Sequence, residues 1–307
     1  MKKFFLALLK AACYALLFLM MQVVVVTAAT MVFAIQQGVE IAMSGGTFDV
    51  MEITELAADF LLQNTGLLTV ISSAFSLFLL WPVFAVGKKK YFKEVSLIPA
   101  RPAASLTGAI FLGLSFAFVL GIVLDLLPIP ESVWEEYAEY SAGISDQSRP
   151  LLSFLATVIV APITEEIFFR GLIYTRLKRG MPTIVAILVE SAIFGAMHGA
   201  AIWMAYAFVL GIVMTLLYEK FGSILVSIAF HAAFNLAGGY LVPMMDSENG
   251  IVYWAALAIG AAISLGAAAW LISMPKYRLE PVLAGDGIEE RMQEAETRED
   301  QNGGAAE

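Results

Sequence analysis

Ala161-Pro162-Ile163-Thr164-Glu165-Glu166-Ile167-Phe168-Phe169-Arg170-Gly171 lies within 151–174, an apolar run long enough to cross a bilayer. Ionisable side chains inside a membrane are costly. They usually face a cavity or one another, and they mark candidate functional sites. Glu166 and Arg170 are four residues apart, so they can pair along one helix face. Glu165 lies about 100° around the helix from Glu166. It points elsewhere, need not share the arginine, and is the carboxylate free to face a cavity. Pro162 removes a helix hydrogen bond just before the pair, which predicts a kink. The bland reading, packing and ion pairing alone, weighs more for Glu166 than for Glu165.

The pattern of this run recurs along the chain. Of the 307 residues, 60% are hydrophobic and 15% charged, against about 25% charged for a soluble domain. About eight runs approach the roughly 20 residues a bilayer requires. They are 11–35, 66–87, 104–127, 151–174, 182–201, 203–218, 222–241 and 251–273. The expected fold class is all-α, a polytopic transmembrane bundle. The connection near Ala201 leaves open that the fifth and sixth runs are one broken or re-entrant segment. The N-terminal run greatly exceeds the roughly 7–15 residues of a signal-peptide core, so it reads as an uncleaved first span.

The charges test this count. Lys2, Lys3 and Lys10 precede or open the first span; Lys88, Lys89, Lys90, Lys93 and Arg101 follow the second. Arg176, Lys178 and Arg179 follow the fourth, Lys220 the sixth, Lys276 and Arg278 the eighth. Only Arg149 falls in a loop of the opposite side. By the positive-inside rule both termini are cytoplasmic, and the chain reads as an integral protein of a bacterial plasma membrane. The opposite loops are acidic, with Glu40, Asp49, Glu52, Glu55 and Asp59, then Glu131, Glu135, Glu136, Glu139 and Asp146, then Asp246 and Glu248. Solvated loop charge explains them. Val133-Trp134-Glu135-Glu136-Tyr137 fits an interfacial helix with its aromatics at headgroup level. The net charge of −9 belongs to loops and tail and implies no nucleic-acid partner. The single cysteine, Cys13, excludes an intrachain disulfide and a multi-cysteine metal cluster.

The chain has two histidines, both in apolar runs. Phe194 and His198 are four apart and share a face, with the small residues Gly195, Ala196, Gly199 and Ala200 allowing close helix approach. His231 and Asn235 are also four apart, so both aim one way and can hold an oxyanion. Glu190 is the awkward member, either a partner behind the site or a side chain that snorkels to the interface. Asp125 reads as interfacial, with no chemistry assigned.

Attack of water on an amide needs a base, a means of holding the water and donors for the oxyanion. Glu165 can be the base and His198 can help hold the water, while His231 and Asn235 can be the donors. No serine has a neighbouring base visible in sequence, so a covalent serine route lacks its logic. Metal chemistry competes, since Glu165, His198 and His231 have the composition of a catalytic zinc set. The local H-E-x-x-H pattern is absent, so a zinc or other divalent site would need three spans to converge. The preferred reading has no cofactor.

E-E-x-x-x-R (Glu165, Glu166, Arg170), F-x-x-x-H (Phe194, His198) and H-x-x-x-N (His231, Asn235), in this order, resemble the CPBP intramembrane proteases. This is the CAAX protease and bacteriocin-processing, or Abi, group, which includes the type II CAAX prenyl endopeptidase. The resemblance covers about 150–240. It implies an eight-helix membrane fold with its site among the core helices. It implies that Glu165 and His198 activate water while His231 and Asn235 hold the oxyanion, with Glu166, Arg170 and Phe194 supporting them. Family names often say metalloprotease, but a metal-free, glutamate-activated water is the preferred reading. Bacterial relatives are also linked to bacteriocin immunity and peptide processing.

The chain thus divides into a three-span region at 1–150, a catalytic core at 151–241, a last span at 242–274 and an acidic, disordered cytoplasmic tail at 275–307. The expected partners are the lipid bilayer and a peptide or protein substrate, and the expected activity is endopeptidase. The alternative is a non-enzymatic immunity or scaffold protein that binds through the same pocket. A weaker third reading is a proton-coupled transporter using Glu165 and Glu190. One difficulty is depth. At 1.5 Å per residue, Glu165 and His231 each lie about 14 Å from the inner end of their spans, and His198 about 24 Å.

Overall fold

A bilayer offers backbone N–H and C=O groups no partner, so apolar runs fold into helices that satisfy their own backbone. The computed structural model describes residues 2–46, 49–86, 102–142, 149–244 and 250–276; these are helical, with no strand among them. The helices are α1 (Lys2–Ser44), α2 (Val50–Gln63), α3 (Thr65–Val86), α4 (Pro102–Leu126), α5 (Glu131–Ala142) and α6 (Pro150–Lys178). They continue with α7 (Thr183–Ala196), α8 (Ala201–Phe221), α9 (Ile224–Leu241) and α10 (Gly250–Ser273). The loop cations Lys88, Lys89, Lys90, Lys93 and Arg101 lie outside the described residues, as do Asp146, Asp246, Glu248, Arg278 and the acidic tail beyond Lys276.

The chain is an all-α polytopic protein. Each of the eight expected spans corresponds to a helix, and six of these are individually long and apolar enough to cross a membrane. α2 and α3 meet at a 71° bend and together could make a seventh. α7 has only 14 residues, about 21 Å of helix, short of the roughly 30 Å hydrocarbon core. It is not the first half of one broken span with α8. A Cβ on Gly195 would lie 2.7 Å from Met204 O, and one on Gly211 would lie 2.9 Å from Ser191 Cβ. That pairing runs the two helices antiparallel as a hairpin, with backbones close where glycine permits.

The outward faces are apolar: Leu265 is 74% exposed, Ile272 73% and Phe78 70%. Such a surface suits lipid rather than water. Inside, small residues set the helix spacing. A Cβ on Gly113 of α4 would come within 2.3 Å of Phe230 O, so α4 lies directly against α9 beside His231. Gly222 takes a left-handed φ of 63°, and the Ser223 hydroxyl then accepts from Leu225 N–H at 3.3 Å to cap α9. α5 lies against the α7–α8 turn, where Gly199 has φ +77° and an added Cβ would meet the Tyr140 ring at 3.1 Å. Gly199 and Ala200 are therefore turn residues beyond the end of α7, not part of the helix face the sequence suggested.

Candidate active site

Three helices supply the polar residues: α6 gives Glu165, Glu166 and Arg170, the turn after α7 gives His198, and α9 gives His231 and Asn235. α6 is not uniform. Its backbone widens to π turns over Leu155–Val160 and Ile167–Tyr174, on either side of an α-helical piece, Ala161–Glu166. Pro162 sits in that middle piece. In the first π turn Ala161 N–H reaches back five residues to Ala156 O. The next N–H in that register would be residue 162, and proline has none. Thr157 O is thereby left without that partner, and Asn235 Nδ2 donates to it at 2.9 Å from α9. The carbonyl that Pro162 leaves free thus serves as a cross-helix anchor for the asparagine.

Arg170, completely buried, is held on every side. Nη1 donates to Glu166 Oε1 at 2.7 Å, Nη2 to Gly211 O at 3.1 Å and Nε to Thr215 Oγ1 at 3.3 Å. A second carboxylate, Glu190 Oε1, stands 3.5 Å from Nε. The Phe194 ring covers the guanidinium, 4.7 Å from its carbon to the ring centroid. Glu190 does not snorkel: it is fully buried, and its Oε2 accepts from Thr215 Oγ1 at 2.7 Å and Ser191 Oγ at 3.4 Å.

Glu166 also reaches the other helix. Its Oε1 lies 3.0 Å from His231 Nδ1. A carboxylate accepts, so Nδ1 carries the proton and Nε2 is left to face Glu165. Nε2 meets Glu165 Oε2 at 3.8 Å, beyond direct hydrogen bonding. Glu165 keeps a 20% exposed side chain, yet its Oε2 is buried with no hydrogen-bond partner. The two adjacent glutamates therefore stand on opposite sides of the His231 ring.

His198 lies just past the end of α7 and is half-buried. Its Nδ1 is 2.8 Å from Phe194 O. A carbonyl can only accept, so Nδ1–H donates and the Nε2 lone pair of the neutral ring is free. The Phe194 ring lies between the imidazoles, 4.7 Å from His198 and 5.9 Å from His231. Residue counts from span ends do not set relative depth here: Glu165 is about 20 Å from the Lys178 end of α6 and His231 about 11 Å from the start of α9, yet the two side chains face each other at 3.8 Å.

Among the described residues no three His, Cys, Asp or Glu side chains are grouped so as to hold a metal ion. Glu165, His198 and His231 thus do not form a ligand set in this geometry. Asp125, which the sequence left without a role, accepts from Tyr253 OH between α4 and α10. Sequence reasoning missed Thr157 and Thr215. Thr215 had a signal: it is the one serine or threonine of α8, one turn after Gly211. Thr157 contributes a backbone carbonyl, and its only mark was its position five residues before Pro162.

Residues 147–237 match a family model, the Rce1-like type II CAAX prenyl endopeptidases. The chain is also 25% identical over 146 residues to the UPF0177 protein YxdF of Lactococcus lactis subsp. lactis (strain IL1403), covering 46% of this chain and 78% of that protein. No solved structure matches the chain. The matched segment contains all three motifs, and the resemblance to the CPBP intramembrane proteases is borne out there. At the level of the family, the match supports a membrane-embedded protease of CAAX type.

Proposed function

We propose that this chain is an intramembrane endopeptidase that hydrolyses a peptide bond of a membrane-associated peptide or protein, with a water activated by Glu165. One observation carries the reading: a buried, unpartnered carboxylate oxygen, Glu165 Oε2, faces an imidazole nitrogen across 3.8 Å. That gap suits a bridging water or the oxygen of a tetrahedral intermediate.

Glu165 removes a proton from the water, and His198 Nε2 orients it by accepting its other hydrogen. The water oxygen bonds to the carbonyl carbon, and the carbonyl π pair moves onto oxygen. Donors fixed in advance stabilise that charge without reorganising. His231 has committed Nδ1–H to Glu166, so it donates from Nε2 only as the imidazolium, whose charge Glu166 faces. Asn235 has spent one N–H on Thr157 O, and its second N–H is the one left for the oxyanion. The intermediate then collapses, the C–N bond breaks, and the proton on Glu165 passes to the leaving nitrogen. No metal enters these steps.

The test uses purified protein in proteoliposomes with a mixture of lipidated and unlipidated fluorogenic peptides. The wild type cleaves at least one of them, and Glu165→Gln loses cleavage while keeping its circular dichroism spectrum. Full activity in Glu165→Gln overturns the mechanism. If Glu165→Gln and His231→Ala both keep the protein's cellular phenotype, the immunity or scaffold reading replaces this one.

A further inference from the structure

Glu190 lies outside the three motifs, yet it is one of the costliest residues in the chain. It is a completely buried carboxylate on a membrane-embedded helix, and such groups persist only where they are paired. The charge of Arg170 already has a partner in Glu166 at 2.7 Å. Ion pairing alone therefore does not call for a second carboxylate.

Its contacts show what it adds. Thr215 has one hydroxyl proton and gives it to Glu190 Oε2 at 2.7 Å. The hydroxyl oxygen is thereby turned to accept from Arg170 Nε at 3.3 Å. Glu190 Oε1 draws the same Nε from 3.5 Å. With Nη2 on Gly211 O and the ring of Phe194 over the guanidinium face, Arg170 keeps one orientation. In that orientation Nη1 holds Glu166 Oε1, the same atom that receives His231 Nδ1–H at 3.0 Å. A continuous chain thus runs from Glu190 and Thr215 through Arg170 and Glu166 to His231.

We propose that Glu190 is a positioning residue: with Thr215 it locks Arg170, and through Arg170 and Glu166 it sets the ring orientation of His231 and the acceptor of its Nδ1–H. The catalytic consequence rests on the peptidase reading above; the structural link does not. The polar contacts of Glu190 are with Arg170, Thr215 and Ser191, so it acts on His231 through Arg170 and not on substrate binding.

The chain has only two histidines, so the test is direct. The full-length protein is labelled with 15N-histidine in nanodiscs, and His198→Gln assigns the two rings. Glu190→Gln, which keeps volume and removes charge, shifts the His231 ring resonances and leaves those of His198 in place. In the cleavage assay kcat falls about tenfold, as expected for a displaced donor, while KM stays within about twofold. Thr215→Val, which keeps shape and removes the relay hydroxyl, moves the same resonances in the same direction. It serves alone if Glu190→Gln does not fold. His231 resonances unmoved in the folded variant overturn the proposal, whatever the activity. A wild type that cleaves nothing but whose His231 resonances move in Glu190→Gln overturns the peptidase reading and keeps the positioning role.

Discussion

Replacing Arg170 by leucine removes the cation that two carboxylates share, which predicts an ordering of stabilities. Glu166, Arg170 and Glu190 have no exposure to solvent. Removing one partner of a buried ion pair costs about 3–5 kcal/mol, because the other charge is left uncompensated. Glu166→Gln leaves the guanidinium with Glu190 at 3.5 Å, so its cost falls near the lower end, about 3 kcal/mol. Arg170→Leu leaves Glu190 without a cation and Glu166 with the His231 ring alone, at 3.0 Å. It also strips the donors from Gly211 O and Thr215 Oγ1, so its cost reaches or passes the upper end, about 5 kcal/mol. Against a total stability of roughly 5–15 kcal/mol, the difference between these variants is large. The measurement is equilibrium unfolding by SDS in mixed micelles, followed by far-UV circular dichroism at fixed pH. A triple variant, Glu166→Leu, Arg170→Leu and Glu190→Leu, is expected to be more stable than Arg170→Leu alone, since an apolar core replaces stranded charge. An Arg170→Leu protein no less stable than Glu166→Gln, or a triple variant weaker than Arg170→Leu, would refute the shared-cation account.

Two further outcomes follow from the site. Asn235→Leu leaves Thr157 O unpaired and should cost about 1–3 kcal/mol along with activity. Adding Pro162→Ala supplies an N–H in the register of Thr157 O and should recover part of that stability but not the cleavage, which SDS titration and the peptide assay measure separately. Prolonged dialysis against EDTA should leave cleavage unchanged, with elemental analysis of the active protein finding no stoichiometric zinc. Loss of activity that added zinc restores would count against a metal-free site.

Much of the site was legible because its internal spacings are local. Glu166 with Arg170 and His231 with Asn235 are each four apart, and helix geometry alone puts such pairs on one face; Phe194 and His198 have the same spacing, but His198 lies in the turn past α7. The same regularity placed Glu165 away from Arg170, and the structure pairs the arginine with Glu166 instead. Long apolar runs likewise imposed an all-helical fold, because lipid leaves the backbone no other solution. The errors sit at helix ends. Taking α7 as a span to 201 hid the turn that carries His198, and α6 runs past 174 to Lys178.

What the sequence could not decide is which groups meet across helices. His231 finds Glu166 over 65 residues, Asn235 finds Thr157 O over 78, and Arg170 finds Thr215 over 45. These pairings depend on where glycines let backbones close up, on the π turns in α6, and on a carbonyl left short of a donor by Pro162. Each is a property of two packed elements, and no local period encodes it. The sequence by itself determined a helical membrane protein and its inventory of rare polar groups. Only the tertiary structure made Glu166 the partner of both Arg170 and His231, and brought Glu190 in behind them, because a buried charge is settled by the neighbours that packing supplies.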